Sequence, residues 1–90
     1  MKTFQNQTSA FMEIRPLILD ALSHGVEKKF DVNDDLRRTF VVNNARIRHL
    51  GQLVENHFMC RIPPVEAQKW QTSADIIGYL QKKGAIALKS

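Results

Sequence analysis

The stretch NNARIRHLGQLVENHFMCRIPP, residues 43–64, decides how the chain folds. Ile47, Leu50, Val54 and Phe58 recur three and four residues apart, with Leu53 beside them, which lines one face of an amphipathic helix. Asn43-Asn44 supplies the start, because an asparagine oxygen accepts a free backbone N–H at a helix N-terminus. Pro63-Pro64 supplies the end, since proline lacks the donor a continuing helix needs. This central helix predicts the arrangement of everything around it.

The chain has 90 residues, enough for a single small core and too few for a deep enzyme cleft. Thirteen basic against nine acidic residues give a formal net charge of +4. That balance points to an anionic partner, a nucleic acid or an acidic protein face. The basic residues are scattered as Arg37-Arg38, Arg46, Arg48, Arg61 and Lys82-Lys83, with no run longer than two among them. Direct nucleic-acid binding usually uses a denser arm, so it is the disfavoured reading. Cys60 is the single cysteine, so no internal disulfide can form and a reducing compartment fits. The N-terminal MKTFQNQTSAF lacks the apolar run of a secretion signal, and no segment is long and apolar enough to span a membrane. A soluble, cytoplasmic monomer is expected.

Working outward, residues 1–9 are polar and predict a flexible N-terminal tail. From Ala10 to His24, Phe11, Ile14, Leu17, Ile18, Ala21 and Leu22 share a helical face, with Gly25 placed to terminate it. Pro16 interrupts that pattern. Either the helix starts near Glu13 with Pro16 in its first turn, or it bends there; the late start is the expected form. Residues 26–42 form a long loop pinned by Phe30, Val32, Leu36 and Phe40, with one short turn possible between Leu36 and Phe40. Phe40-Val41-Val42 also reads as a strand. No second strand-like run exists to pair with it, so the expectation is all-helical.

Beyond the central helix, VEAQKW (65–70) reads as a short helix with Pro64 in its first turn. Thr72 and Asp75 stand in capping-box spacing ahead of Ile76, Ile77 and Leu80. Lys82-Lys83 complement the dipole of this last helix, and Gly84 stops it. The domain thus runs from 10 to 84, followed by a C-terminal tail, 85–90, with no assigned place.

This order, joined to the segment LVENHFMCRIPPVEAQKWQTSADIIGYL (53–80), resembles the acyl carrier protein family. Ile62-Pro63, Thr72 and Tyr79 carry the match at the right offsets, and Leu36, Phe40 and the first-helix leucines and isoleucines fit upstream. The resemblance implies a small all-α four-helix bundle with a long loop between its first two helices. It also implies fatty acid or polyketide biosynthesis as the setting. In the family, a serine at the start of the central helix carries a phosphopantetheine arm. Here Asn44 occupies that serine's place, and an amide nitrogen with a delocalised lone pair cannot serve as the nucleophile. The nearest upstream hydroxyl is Thr39, and the next serine is Ser73. No attached arm and no other cofactor are therefore expected.

The family's central helix is usually acidic; here it carries Arg46, Arg48 and His49, with Glu55 the one acid between 43 and 61. A partner should therefore be acidic, a biosynthetic enzyme by the resemblance, because like-charge juxtaposition is strongly disfavoured. Arg46, Arg48 and His49 are the steering residues of that expected surface, and Ile47, Val41 and Val42 its apolar contacts. The alternative is a small nucleic-acid-binding helical protein using the same arginines. A merely solvated helix face remains the bland reading.

Other chemistry is sparse. His49 and His57 lie about 12 Å apart along a helix axis, and no further ligand completes a metal site with Cys60. Cys60 sits ~24 Å from Asn44 by helical rise, with no base beside it in sequence, and reads as a half-buried packing residue. His57 reads as partly buried packing, Trp70 as a core lid, and Met12 and Met59 as gap-fillers. Gly51 reads as the close approach of another helix or as the wall of a pocket. No paired carboxylates, nucleophile–base pair or phosphate loop appears, so no enzymatic activity is expected.

Overall fold

A computed structural model describes residues 1–89. The order is β1 (Lys2–Phe4), α1 (Gln7–Ser23), α2 (Leu36–Phe40), α3 (Asn44–Phe58), α4 (Pro64–Ala67), α5 (Ser73–Lys82) and β2 (Ile86–Leu88). The chain is predominantly helical, but not all-helical as its sequence suggests. Packing centres on α1, which lies against α3 and α5, while α4 closes on α3.

Helix α1 starts earlier than the periodicity implies. Asn6 caps it, its side-chain oxygen accepting from the Ser9 N–H at 2.9 Å. Pro16 then lies inside the helix, not in its first turn. The ring is tolerated because Pro16 and Met12, the residue whose carbonyl loses its partner, are both exposed. Ala10, Ile14, Ile18 and Leu22, each four residues from the next, enter the core. His24 and Gly25 end the helix in left-handed conformations, and the Gly25 N–H returns to the Leu19 carbonyl at 2.9 Å.

The loop between α1 and α2 is held as its anchors predict. Phe30 is buried, edge-on to Phe11 at 5.4 Å and to Phe40 at 5.1 Å between ring centres. Backbone bonds lash the loop to the far end of the chain: Ala74 N–H to the Val32 carbonyl at 3.0 Å, Leu36 N–H to the Gln71 carbonyl at 2.8 Å. Phe40, Val41 and Val42 form no strand; Phe40 ends α2, and Val41 turns left-handed at φ 50°.

Helix α3 buries Ile47, Leu50, Gly51 and Val54. It ends at Phe58, several residues before the prolines, because Met59 adopts a left-handed cap at φ 53°. Glu55 then fixes the exit, its carboxylate accepting from the Ile62 N–H at 2.6 Å. Met59 and Met12 are exposed and fill no core gap. Trp70 is buried and meets Tyr79 edge-on at 6.0 Å, the lid expected of it. The capping box of α5 forms as its spacing predicts, with Asp75 N–H donating to the Thr72 hydroxyl at 3.2 Å.

The two ends, expected as tails, pair as parallel strands, Lys2 opposite Ile86 and Phe4 opposite Leu88. Each run is three residues long, too short to show alternation, and the partner lies at the other end of the chain. Burial of Phe4 and Ile86 against the helices holds the pair in place. Ser90, the last residue of the expected C-terminal tail, lies outside the described residues.

A Cβ on Gly51 would meet the Ala67 Cβ at 2.8 Å, so α3 and α4 approach more closely than any larger residue permits. Gly78, on the exposed face of α5, has nothing within 4 Å of the same position. Substituting both with alanine separates propensity from packing. Gly78→Ala should stabilise by about 0.5–1 kcal/mol. Gly51→Ala should destabilise by about 1–2 kcal/mol, because overpacking outweighs the same propensity gain. Urea denaturation checks both; a Gly51→Ala protein at least as stable as the parent would show the approach to be looser.

Candidate functional site

At about 100° per residue, α3 divides into four sides. One is the buried face. A second side turns to α2 and to the segments flanking α4, where Asn44 meets Arg37 and Gln68, and Glu55 meets Ile62. A third turns to α1, where Arg46 and His57 make theirs. What remains is an outward stripe of Ala45, Arg48, His49, Gln52 and Asn56, all exposed.

The α4 side holds Asn44, the residue in the place of the expected attachment serine. Asn43 caps the helix, its oxygen accepting from the Arg46 N–H at 3.1 Å, and leaves the Asn44 side chain free for other contacts. The Arg37 guanidinium donates to the Asn44 Oδ1 at 2.8 Å and to the Gln68 Oε1 at 2.8 Å. Gln68 in turn donates from Nε2 to the Asn44 carbonyl at 3.0 Å. Arg37, Asn44 and Gln68 thus tie α2, the start of α3 and the end of α4 together. Sequence reasoning missed Gln68 and treated Arg37 only as charge. Residues 31 apart give no local signal of the pairing.

The α1 side is tied at both ends. Near the N-terminus of α3, the Arg46 guanidinium lies against the His24 ring, with Nη1 3.2 Å from Nδ1. Near its C-terminus, the His57 Nε2 lies 2.8 Å from the Glu13 carboxylate, which also receives the Lys2 ammonium. His57 is therefore a polar link between helices and not a buried packing residue. The hydrogen bonds from Lys2 and His57, in that order, hold the Glu13 carboxyl below the usual carboxylate range.

Of the residues expected to meet a partner, the structure keeps some together and removes one. Ile47 is fully buried and cannot contribute, since the apolar periodicity that builds the helix is the same that hides it. Val42 packs partly against the core. Val41 is 87 % exposed. Arg48 and His49 lie on the outward stripe with no hydrogen bond or ion pair among the described residues, and Arg46 flanks them toward α1. From Leu36 to Val54 the sequence holds Arg37, Arg38, Arg46 and Arg48 and no acidic residue. The corner formed by α2 and the first half of α3 is thus net cationic, with Asp35 at the α2 N-cap the flanking carboxylate.

Among the described residues no helix is long and apolar enough to cross a membrane, and no cluster of three or more His, Cys, Asp or Glu side chains could hold a metal ion. A depression of about 370 Å³ lined by Phe58, Met59, Cys60 and Lys83 lies at the opposite end of α3 from Asn44. Cys60 is partly buried there, its thiol 3.9 Å from the Arg61 carbonyl. No family model, curated protein or solved structure matches this chain.

Two measurements probe these ties. In a double-mutant cycle of Arg37→Ala and Gln68→Ala, the coupling should be about 0.5–3 kcal/mol, as for two side chains in contact through a hydrogen bond. Additive losses would mean the two side chains act independently. For Glu13, a lowered native pKa adds stability above the ordinary value of 4.5 and loses it as pH falls through the native value. The advantage of the parent over Glu13→Gln should therefore be present at neutral pH and vanish in acid. A difference unchanged by acidification would remove the electrostatic link.

Proposed function

We propose that the protein is a carrier-like helical scaffold that bears no prosthetic arm and acts by contact, presenting its cationic α2–α3 corner to an acidic protein. The reading rests on one observation: four arginines and no carboxylate between Leu36 and Val54, at the helix start that the acyl carrier resemblance marks as functional. Arg48 and His49 stand free on the outward stripe, and Arg38 lies exposed on α2. Such a surface steers an anionic partner and repels a cationic one. A biosynthetic enzyme of lipid or secondary-metabolite assembly is the partner class the resemblance suggests, and the four-helix carrier type is the fold it suggests.

Asn44 supports the same reading. Its carboxamide is not a nucleophile for phosphoryl transfer, and its oxygen is committed to Arg37. The position is thereby a structural joint between α2, α3 and α4 and no longer a point of attachment.

Intact mass after incubation with coenzyme A and a promiscuous phosphopantetheinyl transferase should not change; a gain of one arm refutes the reading. Charge reversal of Arg46→Glu with Arg48→Glu should sharply reduce recovery of partner proteins by affinity purification from the native host. Undiminished recovery moves the docking surface elsewhere. Salt-dependent retention on immobilised DNA, abolished by the same pair, would instead make the partner a nucleic acid.

A further inference from the structure

The turn between α2 and α3 holds Val41 in a backbone conformation that its side chain opposes. Its φ of 50° and ψ of 60° are left-handed, where Cβ crowds the neighbouring backbone and β-branching worsens the conflict. His24 and Met59 share this region at other helix ends, but neither is β-branched. Glycine at this position would remove the conflict. The side chain is 87 % exposed, so burial within this chain does not compensate for the strain.

The surroundings say what would. Arg38, exposed on α2, lies one helical turn before Val41. The Lys28 ammonium sits 5.8 Å from the ring centre of Phe40, the residue next to Val41. Arg37 and Asn44 fasten the turn on its other side, so the chain presents Val41 from a braced corner. An apolar knob flanked by more cations than carboxylates, Asp35 at the α2 N-cap being the acid beside it, complements apolar side chains bordered by acidic ones.

We infer that Val41 is the apolar anchor of the interface, packing against apolar side chains of an acidic protein segment while Arg38 and Lys28 meet the carboxylates that flank them. Strain kept at an exposed position is explained by what the side chain does when bound. This deepens the contact reading given above and rests on it, because it places the centre of the interface on the turn before α3 and not on the outward stripe of the helix.

The test uses the full chain and a synthetic peptide with two adjacent leucines flanked on both sides by glutamates, alongside a control peptide with lysines in their place. Amide chemical shifts should move saturably at residues 38–46 with the acidic peptide and stay still with the control. Val41→Gly should weaken the acidic peptide by roughly tenfold or more while raising the melting temperature by about 2–5 °C, relief of strain exceeding the added chain entropy. Val41→Leu, apolar and not β-branched, should keep the binding. A binding loss accompanied by lower stability, binding untouched by Val41→Gly, or no saturable shift would overturn the assignment. The two readings separate in parallel titrations: sensitivity to Arg46→Glu with Arg48→Glu but not to Val41→Gly ends the anchor and leaves the cationic face. Insensitivity to all of them ends both.

Discussion

The close seating of α3 among its neighbours is the constraint on which the rest depends. Gly51 lets α4 approach to a distance that even a methyl group would fill. That approach brings Gln68 to the start of α3, where it can reach Asn44 and Arg37. On the opposite side, α1 takes up Arg46 and His57. With three sides committed, the rotation of α3 is fixed, and the residues left outward are those no neighbour can use. The cationic corner is thus a consequence of packing geometry combined with a run of sequence that contains no acid.

Charge economy makes that corner distinctive. Some of the charges elsewhere are paired: Arg15 with Glu27, Lys2 and His57 with Glu13, and Lys69 with Glu66 at 3.4 Å. Exposed pairs of this sort add little stability each. Their value is in cancelling local fields, and no ion pair is formed by Arg38 or Arg48 among the described residues, although Asp35 caps the helix that carries Arg38. Positive charge of this kind steers encounter more than it strengthens a complex.

Much of the helical framework was legible because its signals are local. The stripe of Ile47, Leu50 and Val54, the Asn43 cap and the Thr72–Asp75 box each lie within one or two turns of the residues they organise. The left-handed stop at Met59 had no such signal, since neither Gly nor Asn marks it. The early start of α1 is marked in the sequence by Asn6, three residues before Ser9, and an exposed proline such as Pro16 does not prevent it. The strand pair was not legible, because its partners stand at opposite ends of the chain and only tertiary burial joins them. The site divides the same way. Charge at Arg46, Arg48 and His49 can be read directly, whereas the Arg37–Asn44–Gln68 joint spans 31 residues, and Ile47 belongs to the apolar periodicity that buries it.

The central claim is that uncompensated positive charge gathers at one corner of the fold, around the turn from α2 into α3. Comparing amide proton relaxation by an anionic and a neutral paramagnetic chelate, at low ionic strength, measures that distribution residue by residue. The account predicts excess relaxation by the anionic chelate concentrated at residues 38–49, diminishing with added salt. An excess spread evenly over the surface, or centred on Lys82 and Lys83, would contradict it.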